Sequence, residues 1–96
     1  MTPEKILTLR KQIDCCDELL IKILSQRFKY VSDISNIKKN EDILTVDLDR
    51  FYEIVHNSRK IAIKENVNPN LIEEILNIIH KYSIKIISDK RNKVKL

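Results

Sequence analysis

Apolar residues recur along the first forty positions at steps of three and four. The stripe Ile6, Leu9, Ile13, Cys16, Leu20 continues through Leu24, Arg27, Val31, Ile34 and Lys38. At 100° per residue, the members between positions 20 and 38 stay within about 40° of one line along a helix. Thr2-Pro3-Glu4 supplies a start. Threonine is a good N-cap, proline suits the first helical position, and glutamate suits the positive end of the helix dipole. No proline interrupts the stripe before about residue 38 or 39. The pattern therefore predicts a helix of roughly 35 residues and about 50 Å. A domain of this size cannot cover that length alone, so part of the helix is expected to pack on a second chain.

The rhythm breaks at residues 40–46, where Asn40-Glu41-Asp42 interrupts it. Asp47 is the expected N-cap of a second helix from residue 48 to about residue 66, with Phe51, Ile54, Val55, Ile61 and Ala62 facing inward. Asn66-Val67-Asn68-Pro69 is the next break. Asn68 as N-cap and Pro69 in the first turn begin a third helix. Its inward face is Ile72, Ile75, Leu76, Ile79, Ser83, Ile86 and Ile87. The expected fold class is all-α: one three-helix domain over residues 1–96, with a fraying basic tail from about residue 89.

Composition narrows the chemistry. The 96 residues include no glycine. Phosphate-binding glycine loops, dinucleotide-binding turns and glycine-dependent hairpins are thereby excluded. A hydrophobic content of 43% with 33% charged residues suits a folded helical protein rather than a disordered one. The net charge of +4 suits nucleic acid or a small anionic ligand equally well. No apolar run approaches the roughly 18 residues of a membrane span. The charged first residues, MTPEKILTLRKQID, lack the apolar centre of a signal peptide, so a cytoplasmic location is expected. Cys15 and Cys16 are adjacent and lack metal-ligand spacing. Cys16 lies on the stripe and is expected to be a small core residue. His56 and His80 are read as surface or interface residues rather than ligands. No metal site is expected.

Two cations on an apolar stripe need an explanation. A single Arg or Lys there usually lays its stem on the core and its head in water. Here Arg27 and Lys38 share one line, Arg50 follows the cap of the second helix, and Ser83 interrupts the third. No matching acids lie on these faces, so a bound anion with several carboxylates is a natural partner. Arg27 and Lys38 are about 16 Å apart along the axis, which leaves room for a ligand of one ring between extended side chains. Arg10 is roughly 25 Å from Arg27 along the helix and about 100° around it. If Arg10 serves the same ligand, it comes from an antiparallel partner chain.

These residues resemble the all-helical chorismate mutase family. The matching segments are LRKQIDCCDELLIKILSQR at residues 9–27, NIKK at 36–39, VDLDR at 46–50 and IEEILNIIHKYS at 72–83. The resemblance implies an intertwined homodimer of three-helix chains with two equivalent sites, and the Claisen rearrangement of chorismate to prephenate in aromatic amino acid biosynthesis. It implies no cofactor and no metal. In such enzymes the arginine matching Arg10 crosses from the second subunit. Those matching Arg27 and Arg50, with Lys38 and Ser83, hold the carboxylates, the hydroxyl end and the ether oxygen. Asp47 matches the aspartate beside the ring hydroxyl. The types fit a pericyclic step, which needs folding of the substrate and charge stabilisation rather than an acid or base.

Two positions depart from the family pattern. Ile87 stands where a glutamine usually donates to the ether oxygen, and Phe51 where a carboxylate commonly follows the arginine. A lost donor at a developing charge costs about 3 kcal/mol. The departures admit a weakened mutase, a relative such as an isochorismate pyruvate lyase, or a non-catalytic homologue. A nucleic-acid-binding bundle is the rival from another class. Its disfavouring features are the inward placement of the key cations, the scarcity of aromatics and a first helix too long for a helix-turn-helix.

Overall fold

The computed structural model describes residues 2–37 and 48–94. Its described residues form three α-helices: α1 (Pro3–Ile37), α2 (Leu48–Lys64) and α3 (Pro69–Val94). Their order, type and starts agree with the apolar periodicity. The chain is all-α, and no described residue lies in a strand.

Local chemistry accounts for the ends. At α1 the Lys5 amide donates to Thr2 Oγ1 at 3.2 Å, and the Ile6 amide donates to the Thr2 carbonyl at 3.1 Å. Thr2 is thus the N-cap, and Pro3 occupies the first helical position, where its missing N–H costs nothing. At α3 the Asn70 amide donates to Asn68 Oδ1 at 2.9 Å, so Asn68 caps and Pro69 again opens the helix.

The α2 terminus is a Schellman arrangement. The Val67 amide donates to the Ala62 carbonyl at 2.8 Å, and the Asn66 amide to the Ile63 carbonyl at 3.2 Å. Such an ending needs one left-handed residue, and Asn66 supplies it with φ 60°. Glycine is the usual choice there. In a chain without glycine, asparagine is the next most tolerant. The helix therefore stops at Lys64, and the residues up to Asn66 that periodicity assigned to it form the cap.

Two compact units divide between Tyr30 and Val31. In the first, the apolar side chains of α1 are largely in solvent. Ile6, Leu9, Ile13 and Leu20 are 37%, 44%, 58% and 59% exposed, while Leu24 and Arg27 are half-buried. Cys16 is exposed, not the core thiol its place on the stripe predicts. Among the described residues of the unit, nothing lies over that face. On the opposite face Glu18 and Lys22 pair at 3.2 Å with one turn between them.

The second unit contains the α2–α3 pair, whose helices pack on one another. Its buried residues, among those described, are Ser35, Ala62 and Ser83. Phe51, Ile54 and Val55 of α2, and Ile72, Leu76, Ile79, Ile86 and Ile87 of α3, are half-buried. Ile61 and Ile75 were expected on the same faces, but they are 61% and 41% exposed. Each lies at the edge of its stripe. Where α2 turns into α3, Arg59 Nη1 donates to Asn70 Oδ1 and Glu73 Oε1, both at 3.0 Å.

Among the described residues, no helix is long and apolar enough to cross a membrane.

Candidate active site

α2 and α3 carry three of the expected site residues. Arg50 is in the first turn of α2, exposed, with its guanidinium paired to Glu53 three residues on. This differs from the inward aim inferred for it. The first turn of a helix leaves a long side chain free to reach along the surface, and Glu53 supplies a carboxylate at i+3. Both partners are more than half exposed, so the pair adds little to stability.

Ser83 is 8% exposed. Its hydroxyl donates to the Ile79 carbonyl at 2.9 Å, one turn back in α3. A serine within a helix satisfies its donor this way when the surroundings offer little water. Ile87 lies one turn further on, half-buried, on the same side of α3. The wall that carries Ser83 is therefore apolar at its next turn.

A ring contact joins the two helices beside these residues. The Phe51 and His80 rings stack with centroids 4.1 Å apart and planes inclined by 25°. Both residues are half-buried. Sequence reasoning placed His80 at a surface or interface and missed the stack. Phe51 on the inward side of α2 and an imidazole one turn before Ser83 were the available signal.

Arg10 and Arg27 lie in the first unit on α1, Arg10 exposed and Arg27 half-buried. Seventeen positions of one helix keep their backbones about 25 Å apart. A single copy of α1 does not bring them to one small ligand. Lys38 and Asp47 lie outside the described residues. No group of three or more potential metal-ligating side chains occurs among the described residues.

The class defined by these features is a small all-α chain with arginines along one long helix and a polar hydroxyl buried on another. Comparison with known proteins places it more closely. Residues 9–87 match the family chorismate mutase type II, and the chain belongs to that family. It is 29% identical over 80 residues to a chorismate mutase of Methanocaldococcus jannaschii, covering 83% of this chain and 81% of that protein. It is 28% identical over 86 residues to the T-protein of Enterobacter agglomerans, covering 90% of this chain and 23% of that much longer protein.

Proposed function

We propose that the protein is a chorismate mutase, converting chorismate to prephenate by a Claisen rearrangement at a site shared between two copies of the chain. The observation that carries this reading is the family match over residues 9–87, a span that contains Arg10, Arg27, Lys38, Asp47, Arg50, Ser83 and Ile87. The step supplies prephenate for aromatic amino acid synthesis.

The reaction breaks one C–O bond and forms one C–C bond in a single cyclic movement of electrons. No proton moves, and no nucleophile, metal or cofactor is required. Catalysis then rests on holding the substrate in its folded conformer and on stabilising negative charge at the ether oxygen. Arg10 of the partner subunit, Arg27 and Arg50 grip the carboxylates and the hydroxyl end, since guanidinium presents paired donors to a carboxylate. Arg50 exchanges Glu53 for the ligand. Lys38 donates to the ether oxygen, and Asp47 accepts from the ring hydroxyl. The Ser83 hydroxyl turns from Ile79 to meet the substrate.

Length and exposure support the shared site. The exposed stripe Ile6, Leu9, Ile13, Cys16, Leu20 is the surface a second α1 covers. Bringing residue 10 of one copy beside residue 27 of the other sets two antiparallel helices with their dyad between Glu18 and Leu19. Each copy then acts as one domain over residues 1–96, intertwined with its partner.

Ile87 in place of a donor admits a second reading, an isochorismate pyruvate lyase. The two are separated by incubation with chorismate and with isochorismate, assaying prephenate, salicylate and pyruvate. Prephenate from chorismate is expected. Salicylate and pyruvate from isochorismate, with no prephenate, would overturn the assignment.

A further inference from the structure

His80 is not among the residues assigned to the substrate, yet its ring stacks on Phe51 of the neighbouring helix. Phe51 directly follows Arg50. His80 precedes Ser83 by three positions, on nearly the same side of α3. We propose that His80 is a positioning residue: its stack on Phe51 fixes the first turn of α2 against α3, and so sets where the Arg50 guanidinium stands relative to Ser83. This inference rests on the chorismate mutase reading for its consequence in catalysis, and on the stack alone for its geometry.

The physical case has three parts. First, Leu48 is 54% exposed and Asp49 and Arg50 are exposed, so Phe51 is the first side chain of α2 with appreciable burial. A helix end without burial frays unless something pins it. Second, the pin here is directional. Rings at 4.1 Å and 25° resist both sliding and tilting, whereas aliphatic contacts in the same place tolerate rotation about the helix axis. Third, the stacked residue is the immediate neighbour of Arg50. A rotation of the first turn that breaks the stack swings Arg50 and its partner Glu53 together. Tyr52, next in the chain, does not share this duty. The residue is 65% exposed, and its ring lies 6.3 Å from that of Phe51 at 49°. The contact between Arg59, Asn70 and Glu73 pins the opposite end of the hairpin, so the two helices are fixed at both ends by side-chain contacts of different kinds.

A shift of the substrate-gripping arginine that removes about 1.4 kcal/mol of its grip weakens binding about tenfold. Because Arg50 acts on a group that is charged before and during the reaction, the loss falls on KM more than on kcat.

The test is a double-mutant cycle with rescue. In the full-length protein, His80→Ala is expected to raise KM for chorismate about tenfold with kcat changed less than threefold. His80→Phe, which keeps a ring on Phe51, is expected to return KM to within twofold of the parent. In an Arg50→Ala background, His80→Ala should add less than twofold, because the residue it positions is gone. Equal effects of His80→Ala in both backgrounds would overturn the proposal, as would a fall in kcat at constant KM without rescue by phenylalanine. A parent that turns over no chorismate would sink the functional reading. The positioning role is then read from the Arg50 amide and Nε resonances. These shift in His80→Ala and return in His80→Phe if the stack sets Arg50, and stay unmoved if it does not.

Discussion

Ser83 and Ile87 stand one turn apart on α3, one buried with its hydroxyl turned to Ile79, the other a half-buried hydrocarbon. If Ser83 meets the substrate, Ile87 forms the wall beside it and offers no hydrogen to the ether oxygen. Lys38 is then left as the donor at the breaking bond. Ile87→Gln is expected to raise kcat for chorismate at least tenfold, about 1.4 kcal/mol off the barrier, since a restored donor acts mainly on the charge of the transition state. Steady-state kinetics of the parent and the variant check this. Equal kcat values would show that the missing donor is already compensated.

At the level of elements, ends proved as informative as faces. Thr2-Pro3 and Asn68-Pro69 mark helix starts because a side-chain oxygen and a ring-fixed φ act within three residues of each other. Both are local effects, and both starts were legible. The end of α2 was less so. Periodicity runs on to about residue 66, and only the left-handed φ of Asn66 reveals where the helix stops. Asn66→Val should cost about 1–2 kcal/mol, because a β-branched residue resists that conformation, whereas Asn66→Gly should stay close to the parent. Urea unfolding midpoints at constant m-value measure both. A valine variant as stable as the parent would contradict the capping account. The stack of Phe51 on His80 was not legible either. Periodicity assigns each residue to a face, but the pairing of faces is settled by how two helices are rotated against each other.

For the whole molecule, the apolar pattern of α1 exceeds what its own unit buries. Ile6, Leu9, Ile13 and Leu20 remain in solvent, as the length of the stripe in the sequence already indicated. Cys16 was assigned to a core for the same reason, and is exposed, because a stripe shows that burial is wanted without showing which chain provides it. The family was legible because the spacing of Arg10 and Arg27 with the aliphatic residues between them extends over a long, uninterrupted helix. The central claim is that one site draws Arg10 from one chain and Arg27 from another. It is tested by mixing Arg10→Ala and Arg27→Ala proteins and assaying chorismate turnover after verified subunit exchange. Each variant alone should be inactive. At equal amounts, random exchange makes half the dimers mixed, each with one intact site of two, so the account predicts about a quarter of the parental activity. Mixed dimers that form but turn over no more chorismate than either variant alone would contradict it.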